Sequence, residues 1–338
     1  MFNKLYEILK KILKTIFNKT TLAIANILLI IIILISLFVE LPYGVYMPGG
    51  ASSVLKQLSN IKYETSGDIR STHVSYIGGD IISIIASFFI PNWDIVPVEE
   101  MTLDNEDIEQ ADQRRKIEML LSANQAIELA YQKAGKKINI VSQKYVINYI
   151  YKEAKTNLRI GDEILKYEGK PYVGEEMSAY IATLNAGDTL MLTVKRDGRE
   201  VITKSEIVEI DGGKYIGVVV ATLSEYDKGT VTFEPHRNES GASGGLMMTL
   251  AIYNSITKED ISKNRNICGT GTIDAEGNVG EISGVKYKVI GANKDKCDIF
   301  LVPAANYEEA IKVSNKYNYK MKIKKVETFD EALEYLAK

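Results

Sequence analysis

"GTGTIDAEGNVGEISGVKYKVIGANK", residues 269–294, is the stretch whose reading decides the fold of the C-terminal part of this chain. It opens on a Gly-Thr-Gly turn, runs through a strand-like Thr-Ile-Asp and an Ala-Glu-Gly-Asn turn, and enters a helix after Gly284. That helix carries Lys286 and Lys288. Residues two apart point to different sides of a helix, so at most one of the two can serve a given neighbour. Periodicity leaves open which.

A partner for one lysine lies upstream. "RNESGASGGLMMTLAIYNS" (237–255) holds Ser243 in a Gly241-Ala242-Ser243-Gly244-Gly245 cluster, which fits the G-x-S-x-G pattern of a nucleophile elbow. Leu246, Leu250 and Tyr253 share one helical face, so Ser243 is expected at a helix N-terminus. Free N–H groups and the helix dipole there can hold an oxyanion. An α/β-hydrolase needs a histidine after the serine, and both histidines, His73 and His236, precede it. Two bases stay open on the residues alone. One is His236, oriented by Glu234 or Glu239. The other is a lysine kept neutral by burial.

Taken together, these segments resemble the proteolytic domain of Lon-type proteases. "SGASGGLMM" is similar to that family's G-P-S-A-G serine motif. Residues 269–294 resemble its T-G-x-I-x-x-x-G-x-V-x-x-I-G-G-x-x-x-K segment, and "DIFLVPAANYEEA" the strand, proline and helix that follow. The resemblance implies an α/β proteolytic domain over 210–338 and a Ser–Lys dyad of Ser243 and Lys288, with Lys286 left out. It also implies that Thr270 fixes the lysine amine, with the turn at Ala242 and Gly244 supporting the dyad or the oxyanion. Ala242 stands where the family has proline, Gly244 where it often has alanine, and Ser283 at the first glycine of a pair. The resemblance further implies no cofactor and a ring-like homo-oligomer.

Upstream, "GDEILKYEGKPY" (161–172) and "AGDTLMLTVKRDG" (186–198) read as Gly-Asp turns leading into strands, the second closed by an Asp-Gly hairpin turn. Their separation resembles a PDZ domain, expected over 119–209. Such domains bind an extended peptide by adding a strand to their sheet. A carboxylate-binding G-L-G-F-type loop is not legible upstream of these strands. "MLLSANQAIELAYQKAG" (119–135) predicts a helix with Ser122 as N-cap and Gly135 as its stop. "KYIGVVVATL" (214–223) and "TVTFEP" (230–235) read as strands leading to the serine.

The N-terminus departs from this pattern. "TLAIANILLIIIILISLFV" (21–39) is uncharged and would span roughly 28 Å as a helix, about one bilayer core. Lysines at 4, 10, 11, 14 and 19 precede it, and the first basic residue after it is Lys56. A single-pass helix over 21–39 is therefore expected, with a basic amphipathic segment (1–20) in the cytoplasm and the bulk of the chain extracytoplasmic. Residues 40–118 form an extracytoplasmic N-terminal region. Within it, "IISIIASFFI" (81–90) predicts a buried strand or helix, the alternative being a membrane-facing contact with Trp93 at the interface. "EEMTLDNEDIEQADQRRKIE" (99–118) predicts a solvated connector.

The expected architecture is an α+β multidomain chain: transmembrane helix, PDZ-like β-rich domain and α/β Lon-type domain. A net charge of −3 speaks against nucleic acid as a partner. Cys268 and Cys297 form no C-x-x-C pair or disulfide framework and are expected to be buried thiols. The histidines offer no metal-ligand pattern. No G-x-x-x-x-G-K-[ST] loop occurs. The expected function is an ATP-independent serine endopeptidase acting on protein and peptide substrates, similar to membrane-anchored PDZ–Lon proteases. The competing expectation is a catalytically silent or highly selective membrane-anchored scaffold.

Overall fold

The uncharged run from Thr21 forms helix α1 (Lys19–Ser36), whose apolar side chains, Leu22, Ile24 and Ile27 to Ile31 among them, are exposed along its length. This computed structural model describes residues 6–8, 10–11, 14–15, 18–36, 41–104, 106–236 and 239–338. Much of the expected amphipathic segment, and residues 37–39 of the expected membrane span, lie outside the described residues. Among the described residues no helix is long and apolar enough to cross a membrane.

The chain divides into two units, Met1–Met47 with Tyr76–Val98, and Pro48–Ser75 with Glu99–Lys338. Two long strands, β1 (Tyr43–Ser53) and β2 (Asp68–Gly78), contribute residues to both. The first unit adds a short helix, α2 (Ile81–Ser87), and β3 (Asp94–Pro97), which pairs antiparallel with the start of β1 from Tyr43↔Pro97 to Tyr46↔Asp94. The expectation that residues 81–90 are buried is corrected here. Only Ser83 of the helix is buried, and Ile82, Ile85, Phe88, Phe89 and Ile90 face outward.

The second unit opens on α3 (Ile108–Lys133). Residues 108–118 of the charged stretch expected to be a connector form the first half of this helix. Its start is fixed by a capping box in which the Asp107 side chain accepts from Gln110 N–H and the Gln110 side chain accepts from Asp107 N–H. Ser122 therefore lies mid-helix rather than at an N-cap. Gly135 ends the helix as expected, at φ 64°.

After α3 come β4 (Ile140–Ile150), β5 (Glu163–Tyr167), helix α4 (Gly174–Thr183), β6 (Thr189–Arg196), β7 (Arg199–Glu206) and β8 (Val218–Tyr226). They form an antiparallel sheet in the order β8-β4-β5-β6-β7. Its inner face buries Ile147, Ile164, Leu190, Leu192 and Val194 against Met177 and Ile181 of α4. Strand β8, which the sequence reading gave to the C-terminal domain, belongs to this sheet and pairs with β4 from Val218↔Ile150 onward.

The rest is a three-layer arrangement built from α5 (Gly245–Ile256), β9 (Asn266–Gly269), α6 (Val285–Lys294), β10 (Ile299–Pro303), α7 (Tyr307–Tyr317), β11 (Lys322–Val326) and α8 (Phe329–Ala337). Its sheet runs β11-β10-β9-β2-β1, with β11, β10, β9 and β2 parallel. The N-terminal region thus supplies strands to this sheet instead of standing apart. Alternation along the strands divides the core. Ile69, Ile267, Ile299 and Leu301 pack against α3, α5 and α8. Cys268, Phe300 and Val302 pack against α6 and α7. Because helices cover both faces, all five residues of β10 are buried, as parallel strands require.

The cysteines also need correcting. Cys268 and Cys297 form a disulfide, with Cα atoms 5.8 Å apart. A separation of 29 residues carries no signal of this. The parallel pairing of β9 with β10, and the return of α6 over them, bring the two residues together.

Candidate active site

Ser243 sits in a single 3-10 turn, Ala242–Gly244, that runs directly into α5. The turn is tied down from two sides. From α3, the Arg115 carbonyl accepts from Gly241 N–H at 2.8 Å, and the Ser122 hydroxyl donates to the Ala242 carbonyl at 3.1 Å. From the loop after β9, Gly271 N–H and the Thr270 hydroxyl both donate to the Ser243 carbonyl, at 2.8 and 3.0 Å. The packing is too close for side chains. A Cβ on Gly244 would lie 2.9 Å from Ser71 Oγ, and one on Gly245 2.8 Å from Ser122 Oγ and 3.0 Å from the Ile273 backbone nitrogen.

Lys288 comes from the other face of the sheet, one turn into α6. That helix starts at Gly284, which adopts φ 73° and leaves no room for a Cβ, since Val74 Cγ2 would be 2.7 Å away. Lys288 is only 3 % exposed, and its Nζ lies 2.9 Å from Ser243 Oγ and 3.1 Å from Thr270 Oγ1. Thr270 is itself fully buried, so its hydroxyl links the amine to the Ser243 carbonyl. Burial disfavours the charged amine and lowers the Lys288 pKa from 10.5 to about 7. A lysine in this state can accept a proton from a hydroxyl at hydrogen-bond distance, which an ordinary surface lysine cannot do at neutral pH.

Lys286 is turned elsewhere. Its backbone N–H donates to Glu309 Oε1 at 3.2 Å, and its ammonium lies 5.2 Å from the centre of the Tyr287 ring. His236 is exposed, and among the described residues no hydrogen bond joins it, Glu234 or Glu239 to Ser243. Glu239 instead accepts from Gln57 Nε2 at 2.8 Å. The structure thus brings together Ser243, Lys288, Thr270, Ala242 and Gly244, and leaves Lys286 and His236 apart from them.

Sequence reasoning missed the supports that α3 and β2 provide. Ser122 and Ser71 reach the serine turn from more than 100 positions away, and nothing in their local sequence marks them. His73, also on β2, lies over Gly49. Its Nδ1 is buried without a hydrogen-bond partner among the described residues, and burial lowers its pKa against the opposing pull of Glu239 and Asp295. Among the described residues no three His, Cys, Asp or Glu side chains are grouped to hold a metal.

A second concave feature lies on the antiparallel sheet. A groove of about 810 Å³ runs between α4 and β8, lined by Tyr172, Met177, Ile181, Tyr215, Val218 and Val220. Strand β8 is the terminal strand of the sheet on this side. Tyr215-Ile216-Gly217-Val218 forms its entry, with Gly217 at φ 70°.

With this geometry in hand, comparison with known proteins gives a consistent result. Residues 235–338 match the family model for the Lon protease (S16) C-terminal proteolytic domain. A Lon protease from Campylobacter jejuni is 33 % identical over 98 residues, covering 29 % of this chain and 12 % of that protein. One from Mycoplasma mycoides is 24 % identical over 208 residues, covering 59 % of this chain and 26 % of that protein. The chain therefore spans about an eighth to a quarter of the length of these relatives. Among solved structures, the PDZ domain of an SdrC-like protein from Listeria monocytogenes is 19 % identical, covering 24 % of this chain and 92 % of that one, with a TM-score of 0.22. The corresponding PDZ domain from Listeria innocua is 23 % identical, covering 23 % of this chain and 93 % of that one, with a TM-score of 0.21.

Proposed function

We propose that this chain, whose residues 235–338 form a Lon-type proteolytic domain of the serine-peptidase class, is an ATP-independent endopeptidase. Its substrates are unfolded or exposed segments of extracytoplasmic or membrane proteins. The observation that carries the reading is the buried amine of Lys288, 2.9 Å from Ser243 Oγ. Ser243 Oγ attacks the scissile carbonyl while neutral Lys288 takes its proton. The same proton passes to the leaving amine, and a water then hydrolyses the acyl-enzyme with Lys288 again as base. Thr270 positions the amine, and N–H groups of the Ala242–Gly244 turn hold the oxyanion.

The groove between α4 and β8 is read as a PDZ-like peptide site. An extended segment would add to the free edge of β8, and its side chains would enter the apolar lining. For location, we read α1 as a membrane anchor with the bulk of the chain outside the cytoplasm. Its exposed apolar surface supports the anchor. The Cys268–Cys297 disulfide supports an oxidising compartment, because such bonds are rare where thiols are kept reduced. By resemblance to the Lon-type family, the active form is a ring of identical chains.

The test is cleavage of casein by the purified full chain without nucleotide. Cleavage is expected in the absence of ATP, with no stimulation when ATP is added. An absolute requirement for ATP would sink the reading. The pH profile supplies a second check. Lys288 is active when neutral, and its pKa is lowered to about 7. Hence kcat/KM should be level at higher pH and fall about tenfold per pH unit below 7. An acid limb centred several units lower, in the carboxylate range, would point to a different base.

A further inference from the structure

Residues 81–93, Ile-Ile-Ser-Ile-Ile-Ala-Ser-Phe-Phe-Ile-Pro-Asn-Trp, contain no charged side chain. Their register in α2 is fixed by two local bonds. The Asp80 carboxylate caps the helix by accepting from Ser83 N–H at 2.8 Å, and the Ser83 hydroxyl donates to the Gly78 carbonyl at 2.8 Å. Because Ser83 faces inward, the larger side chains are turned out. Ile82 is 51 % exposed, Ile85 52 %, Phe88 75 % and Phe89 82 %. Four large exposed apolar groups within eight residues of one helix and its following turn are not what a water-facing surface carries.

Their setting indicates what covers them. Helix α2 touches α1 within the same unit, and both helices expose large apolar side chains. The patch ends on the exposed Phe88 and Phe89, half-buried Trp93 follows four residues on, and aromatic side chains concentrate where a bilayer meets water. A short helix with an apolar outer face and polar inner contacts suits insertion to the depth of the headgroup–acyl boundary. We infer that α2 and the Phe88–Phe89 turn rest in the interfacial layer of a lipid bilayer, a second membrane contact beside α1. This inference rests on the reading of α1 as an anchor.

Trp93 is the only tryptophan of the chain, so its fluorescence reports on this patch alone. The full chain is reconstituted into phosphatidylcholine vesicles with and without bromine on the acyl chains, and flotation is scored on the same samples. The expected result is a chain that floats with the vesicles and loses most of its tryptophan emission in brominated lipid. A Phe88→Ser/Phe89→Ser variant should still float but recover that emission and shift it to the red. Ile82→Ser/Ile85→Ser should do the same from the other end of the patch. A chain that floats with Trp93 equally bright in both lipids overturns the inference and leaves the anchor standing. That result includes the case in which a second copy or a client segment covers the patch. A chain that does not float overturns both.

Discussion

Ser243→Ala and Lys288→Met should each reduce casein cleavage by the full chain by at least about 10³-fold, because nucleophile and base act as one unit. Lys286→Ala should leave most of the activity, since its backbone and ammonium face Glu309 and Tyr287 rather than the serine. Thr270→Val keeps the shape but removes the hydroxyl between the amine and the Ser243 carbonyl. Lys288 becomes charged as it takes up the serine proton, and a hydrogen bond to a charged group contributes roughly 1.5–3 kcal/mol, so kcat should drop about ten- to a hundredfold with little change in KM. A silent Lys286 variant beside an active Lys288 variant would refute the assignment.

The Lys288 substitution also has a stability signature that separates loss of chemistry from loss of fold. The folded pKa of Lys288, about 7, lies below the 10.5 of an unfolded lysine. Between those values the unfolded chain binds more protons, so stability rises with pH across that window. At pH 7 and below, the buried amine opposes folding by its full amount. Lys288→Met removes that opposition and should stabilise the chain at neutral pH by on the order of a few kcal/mol. An inactive variant that melts higher than the parent is the expected pairing. An inactive variant that melts far lower would mean that the amine holds the fold together.

The second large effect concerns the disulfide. Cys268 lies on β9, two residues before Thr270, and Cys297 follows α6, which carries Lys288. The bond closes a 29-residue separation, for which loop-closure entropy corresponds to about 3–4 kcal/mol. A Cys268→Ala/Cys297→Ala chain, or the parent in reductant, should therefore melt lower by on the order of 10 °C. Both cysteines are buried in the layer between the sheet and α6, so casein cleavage should fall as well. Calorimetry and the casein assay on oxidised and reduced samples check this. Equal melting temperatures would show that the bond constrains nothing.

Several features were legible in the residues because their signals are local. The glycine cluster, the apolar run after it and the turn at Gly284 place Ser243 and the two lysines at helix starts through periodicity and turn chemistry. The spacing of Lys286 and Lys288 shows that only one could face the serine. The uncharged run from Thr21 specifies a helix that is apolar on every face. None of this needs a neighbour from elsewhere in the chain.

What required the tertiary structure is whatever depends on contacts through space. Residues 108–118 are polar enough to read as a connector, yet they are the first turns of the helix whose Arg115 and Ser122 hold the serine turn. β8 has the apolar run of any buried strand, and only its pairing with β4 shows which sheet it completes. Ile82, Ile85, Phe88 and Phe89 are equally apolar whether they face a core or the outside, and only the folded chain shows that they face out. The sequence by itself determined that a glycine-flanked serine and a pair of lysines stand near helix starts, and it left open which base would face Ser243. Only the folded chain decided that Lys288 is desolvated, that Thr270 bridges it to the serine and that the cysteines meet. Desolvation and pairing are properties of the space around a side chain, and that space is filled by residues far away along the sequence.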